Sequence, residues 1–259
     1  MSEQPLIIYK KDRIGYIQLN RPEKRNALNA ELVSALKKAI QEFENDRNVK
    51  VMVIKASGKA FCSGADLAYL QSLQSNTYEE NLEDSNKLKS LFYKIYTSPK
   101  IIIAEIQGHA LAGGCGLATV CDFSFTVPAA KFGYTEVKIG FIPAIVKVFL
   151  IRKIGEGKAK QLLLDGDLIS AEEAKAMGLV NWIVGTDELG QKVYDYAQKL
   201  IRQNSAQSMA LTKEMIGRVQ EKDLEEGLAY AATMNAKARG TQDCKKGIAA
   251  FLNKESINW

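Results

Sequence analysis

Apolar and polar positions alternate between two periods along the chain. Residues 6–19 (LIIYKKDRIGYIQL) are two β-rich runs broken by Lys-Lys-Asp-Arg, a pattern that predicts a hairpin. Beyond Pro22 and the Asn26/Asn29 pair, Leu32, Leu36, Ala39, Ile40 and Phe43 recur at helical spacing, with Asn29 placed as the N-cap. Residues 49–55 (VKVMVIK) predict a strand, followed by the small-residue loop ASGKAFCSGAD. A helical region from Leu67 to Tyr96 carries Leu70, Leu73, Leu88, Leu91 and Ile95, but residues 74–85 are polar enough to read as a surface loop or a mobile stretch. IIIAEIQG (101–108) has the continuous apolar run of a buried strand, and a glycine loop with a short helix (111–122) and a strand at 123–127 follow. From Ala144 the pattern is helical: 144–154, 156–165, 170–177 and 187–253. The expectation is an α/β core over 1–190 and a helical C-terminal region over 191–259, with no internal repeat or low-complexity linker.

Composition narrows the function classes. With 259 residues, 46% of them hydrophobic, the chain can bury a core without disulfides or metal, which excludes a disordered, collagenous or disulfide-built protein. The formal charge of +5 suits anionic small ligands at least as well as nucleic acid, and the basic residues are scattered rather than interleaved with aromatics. Nucleic acid is therefore not an expected partner. Four cysteines without a CxxC and one histidine, His109, predict buried thiols in a reducing compartment and no metal site. Neither a leader-like N-terminus nor an apolar run of membrane-spanning length is present, so the expected location is the cytoplasm.

Several chemistries lack their residues. There is no GxSxG, no GxxxxGK[ST] and no GxGxxG after a strand. What remains is two small-residue loops, Gly58–Asp66 and Leu111–Gly116, each placed after a predicted strand. Such loops point backbone N–H groups outward, and two facing each other can form an oxyanion hole. Glycines there serve tight turns and close packing equally well, which is the plainer reading. Glu136, among Phe132, Tyr134, Val137 and Ile139, is either a buried acid poised for proton transfer or a solvated residue on a polar face.

Taken together, the segments resemble the crotonase superfamily, the enoyl-CoA hydratase/isomerase group. The resemblance rests on NRPEKRNALN (20–29), KAFCSGADL (59–67), AEIQGHALAGGCGLATVCD (104–122), KFGYTEVKIGFIP (131–143), DGDLISAEEAKAMGLVN (165–181) and the terminal KKGIAAFLNKESINW. It implies an α/β fold, a spiral of ββα turns with a helical trimerisation region, assembled as a homotrimer or homohexamer. The backbone N–H groups of Ala65 and Gly113 would hold the thioester carbonyl of an acyl-CoA, and Glu136 would be the general acid/base. No cofactor is implied, because coenzyme A arrives as part of the substrate.

One position departs from the pattern. Hydratases of the family usually carry a second glutamate in the glycine segment, where this chain has Gly116. A single carboxylate suffices for a Δ3,Δ2 double-bond shift, whereas Ile142-Pro143-Ala144 matches relatives resembling bacterial 3-methylglutaconyl-CoA hydratases. Hydration and isomerisation both stay open, beside a catalytically weak acyl-CoA-binding or interaction protein. The resemblance further suggests substrate contacts from Lys24, Arg25, Lys59, Ala60, Phe61, Gly64, Asp66, Gly114 and Gly116. Lys254 reads equally as a CoA phosphate contact and as a solvated charge. Phe92, Tyr96, Tyr134, Phe141, Ile145 and Phe149 are candidates for the acyl pocket or simply for the core.

Overall fold

The computed structural model describes residues 4–259. The expected hairpin forms from β1 (Leu6–Lys11) and β2 (Ile14–Leu19), with Leu6 opposite Leu19 and Lys11 opposite Ile14. Helix α1 (Ala30–Asn45) starts where the Asn29 side chain accepts the Leu32 N–H at 2.9 Å, and it buries Leu32, Leu36, Ala39, Ile40 and Phe43.

Three strand pairs follow, and each divides itself between two sheets. Strands β3 (Val51–Ala56), β5 (Ile101–Ile106) and β7 (Phe123–Thr126) enter a six-stranded sheet of order β1-β2-β3-β5-β7-β10. Their short successors β4 (Ala60–Cys62), β6 (His109–Leu111) and β8 (Lys131–Gly133) enter a four-stranded sheet of order β4-β6-β8-β9. The last members are β9 (Ile169–Ser170) and β10 (Trp182–Ile183). Apart from β1–β2 and β8–β9, neighbours run parallel, so the chain must return across the sheet faces between strands. It returns through α2 (Leu67–Leu73) and α3 (Tyr78–Thr97), then through α4 (Gly113–Val120). After β8 comes α5 (Ala144–Ile154). This is the spiral of ββα turns that the resemblance implied. The unbroken burial of β5 suits its place inside the larger sheet, between β3 and β7.

One expectation needs amendment. The polar stretch at 74–85, expected as a surface loop or a mobile stretch, is helical from Tyr78 onward. Only residues 74–77 break the helix, because Thr77 and Glu80 form a capping box that starts α3. Local capping prevails there over the polarity of the surface.

The tail comprises α6 (Glu156–Asp165), α7 (Ala171–Met177), α8 (Leu189–Gln203), α9 (Ala206–Val219), α10 (Leu224–Arg239) and α11 (Gln242–Leu252). A division at residue 190 passes through α8, whose Val193, Ala197, Leu200 and Ile201 are buried and which packs on β3, β5 and β7. The buried Lys50 ammonium ties its end by donating to the carbonyls of Ile201 and Asn204, both at 2.6 Å. Thus α8 packs with the core sheet. Among the described residues no helix is long and apolar enough to cross a membrane.

Candidate active site

Three loops leave neighbouring strands of the small sheet. Ala65 follows β4, Gly113 follows β6 and Glu136 follows β8, and these strands pair β4–β6 and β6–β8 in parallel. Parallel pairing puts the three C-terminal strand ends side by side. All three residues line one cavity of about 310 Å³, with Leu28, Val33, Leu70, Phe141, Ile142 and Val146 supplying much of its apolar wall.

The two amides are left over by the local bonding. Leu28 donates to the Gly64 carbonyl at 2.7 Å and accepts the Asp66 N–H at 2.9 Å. In a parallel bridge of this kind the residue between, Ala65, turns its own N–H to the opposite side. Gly113 is the first residue of α4, where an N–H has no partner within the helix. Among the described residues, neither amide finds an acceptor.

Close approach of the loops depends on Gly64, at φ +93°. A Cβ there would lie 2.8 Å from the Ala112 Cβ and 3.5 Å from the Gly113 nitrogen. Ala112 itself is held at φ +49°, ψ −125°, pinned by its N–H to the Gly133 carbonyl at 2.7 Å. Such a conformation costs a non-glycine residue on the order of 1–3 kcal/mol, and it directly precedes Gly113, which lines the cavity.

Glu136 opens a single 3-10 turn, Glu136–Ile139, whose geometry is fixed by the Phe141 N–H donating to the Glu136 carbonyl at 3.0 Å. The side chain is half-buried, and its Oε2 is buried with no hydrogen-bond partner among the described residues. Burial pushes the carboxyl above its ordinary value, tempered by its own backbone amide. Nearby thiols offer no rival nucleophile. Cys62 and Cys115 are buried, which raises them to about 12 and about 11.

The remaining candidates divide. Gly114 and Gly116 are buried in α4 and do not line the cavity: a Cβ on Gly114 would lie 2.2 Å from the Cys62 carbonyl oxygen, so its role is close packing. Phe61 is wholly buried in the core. Asp66 is also buried, capping α2 through the Ala68 N–H at 3.0 Å and pairing with Arg21 at 2.8 Å. Lys24, Arg25 and Lys59 are exposed outside the cavity, and the Ala60 carbonyl accepts from Asn26 and Gln107. Lys254 is exposed beyond α11. Phe141 and Ile145 line the cavity, Phe92 and Tyr134 are core, and Tyr96 and Phe149 face a separate cavity beneath α9.

Some positioning residues were not singled out by the sequence reading. Asn26, fully buried at φ +55°, accepts the Arg21 N–H and donates to the carbonyls of Ser57 and Ala60, which locks the 20–29 loop onto the 58–66 loop. Its place in the Asn26/Asn29 pair was the available signal. Tyr69 and Asp84 also line the cavity, bonded to each other from α2 and α3, and nothing in their spacing marks them.

The comparisons agree with this architecture. The family described as enoyl-CoA hydratase/isomerase matches residues 9–259. A protein of Thermus thermophilus, named provisionally as an enoyl-CoA hydratase, is 42% identical over 249 residues, covering 96% of this chain and 98% of its own length. A crotonyl-CoA hydratase of Syntrophomonas wolfei is 34% identical, covering 100% of this chain and 99% of its own. The crystal structure of an enoyl-CoA hydratase from Mycobacterium smegmatis superposes with a TM-score of 0.92 at 29% identity, covering 99% of both chains. With its spiral of ββα turns and a family match over nearly its whole length, the chain belongs to the enoyl-CoA hydratase/isomerase family of enzymes, within the crotonase superfamily.

Proposed function

We propose that the enzyme binds an enoyl-CoA with its thioester carbonyl between the Ala65 and Gly113 amides, and that Glu136 transfers a proton to or from the acyl chain as the enolate forms or collapses. The observation that carries this reading is the meeting, in one largely apolar cavity, of two amides without acceptors and a half-buried acid whose Oε2 has no partner among the described residues. Amides already fixed by the fold need no reorganisation as charge develops on the oxygen, and losing one such donor typically slows a reaction roughly 100- to 1,000-fold. Acyl-CoA is the substrate, and the carbon chain faces the Leu70, Ile145 and Val146 side of the cavity.

Turnover of crotonyl-CoA and of a 3-enoyl-CoA by wild type and Glu136→Gln tests the assignment. The variant should lose about 100-fold or more of its rate while still binding substrate. Equal turnover by both proteins would remove Glu136 from the chemistry. Tight acyl-CoA binding without any turnover by wild type would instead make the chain a thioester-binding protein.

The assembly belongs to the same proposal. Leu224, Leu228, Ile248, Phe251 and Leu252 are exposed on α10 and α11, an apolar surface of the sort that copies of one chain cover. A homotrimer or homohexamer is the expected state, and light scattering that returned a monomer would contradict it.

A further inference from the structure

We infer that Asp84, oriented by Tyr69, is the group that holds and deprotonates the attacking water when this enzyme hydrates an enoyl-CoA. This rests on the enolate reading above and adds the second acid which that reading lacks. The cavity lining contains two carboxylates, Glu136 and Asp84. Asp84 comes from the polar first half of α3, the Tyr69 hydroxyl from α2, and the hydroxyl donates to Asp84 Oδ1.

That bond fixes one carboxylate oxygen and leaves Oδ2 without a partner among the described residues. The position where relatives of the family usually keep their second glutamate is closed by packing, since a Cβ on Gly116 would lie 2.2 Å from Val146 Cγ1 and 3.2 Å from Phe92 Cε2. Water therefore has to be activated from another wall. The curated relatives are nonetheless named as hydratases.

The step balances. Asp84 takes a proton from water as the water oxygen bonds to C3. The C2=C3 π electrons move to C2 and the thioester, whose oxygen takes up the charge at the Ala65 and Gly113 amides. Protonated Glu136 then gives its proton to C2. The enzyme is left with Asp84 protonated and Glu136 ionised, and exchange with solvent restores both. Asp84 is the catalytic residue here and Tyr69 a positioning residue.

The test compares two reactions of the intact protein. One is hydration of crotonyl-CoA. The other is exchange of the α-protons of butyryl-CoA in D₂O, which needs the carbonyl grip and Glu136 but no water addition. Asp84→Asn should lower the ratio of hydration to exchange by about 100-fold, Tyr69→Phe should lower it by about 10-fold, and Asp84→Glu should recover part of it. A parallel loss of both reactions in Asp84→Asn would reduce the pair to a tie between two helices and overturn the inference, as would an unchanged ratio. Should Asp84→Asn fail to fold, Tyr69→Phe carries the same ratio test. Wild type that exchanges α-protons but hydrates no enoyl-CoA also overturns it while leaving the enolate reading intact. Exchange that survives Glu136→Gln instead sinks the enolate reading itself.

Discussion

Val146 occupies the space that a side chain on Gly116 would need: its Cγ1 is 2.2 Å from where a Cβ would be. The two residues come from α4 and α5, helices packed directly on one another. The absent second glutamate is thus built into the packing, and restoring it is not a single-residue change. Gly116→Glu should destabilise the protein by more than the roughly 1–3 kcal/mol typical of overpacking, and should not raise hydration. Even Gly116→Ala should fall in that range. Chemical denaturation of the two variants checks this, and a stable, faster Gly116→Glu enzyme would refute it.

Gly64 links conformation to function more tightly. Alanine there meets φ +93° and a Cβ contact of 2.8 Å with Ala112, so the Ala65 and Gly113 loops must separate. The expected result for Gly64→Ala is a loss of about 100-fold or more in kcat, comparable to removing one oxyanion donor, with a smaller effect on Tm. Steady-state kinetics beside a thermal melt separate the two effects.

Asp66 joins the same loop to α2. Asp66→Ala removes the α2 cap and strands the partly buried Arg21 guanidinium, which also holds the Ala27 carbonyl. Loss of a cap alone costs about 1 kcal/mol. The predicted loss exceeds that. Because the Arg21 pair holds the Asp66 carboxyl below its ordinary value, the bond's contribution is present above the carboxylate range and fades as pH falls through it. Denaturation of wild type and variant at pH 7 and at pH 3 should therefore show the difference shrinking in acid.

Glu136 has the opposite sign. Burial raises its carboxyl above the ordinary 4.5, so below that value the side chain is neutral in both folded and unfolded chains and carries no penalty. As pH rises, the unfolded chain releases its proton first, and the folded state loses stability until its own raised value is passed. Glu136→Gln should then gain stability relative to wild type between pH 4 and pH 7. Urea titrations at the two values measure it, and a gain confined to acid would contradict the burial.

Much of this was legible in the chain itself. Periodicity located the hairpin, α1, the buried strand β5 and the tail helices, because those elements bury one face or run apolar throughout. The loops bearing Ala65, Gly113 and Glu136 could be found as small-residue or isolated-acid segments, yet their convergence depends on β4, β6 and β8 pairing. Strands of three residues carry almost no periodic signal. The glycines illustrate the same limit. Gly114 and Gly116 read as site residues, but they are small because Cys62 and Val146 press on them, a reason that exists only in three dimensions. Tyr69 and Asp84 were invisible for a similar cause, since a capping box turned a polar stretch into the helix that brings them together.

The central claim is that the thioester oxygen accepts two fixed amide hydrogens. An infrared difference spectrum of a bound acyl-CoA carrying a ¹³C-labelled thioester carbonyl reads that contact without relying on turnover. Polarisation by the Ala65 and Gly113 amides predicts a carbonyl stretch at lower frequency than in free solution, and a smaller shift in Gly64→Ala. A bound carbonyl vibrating at its free frequency in the wild-type protein would contradict the account.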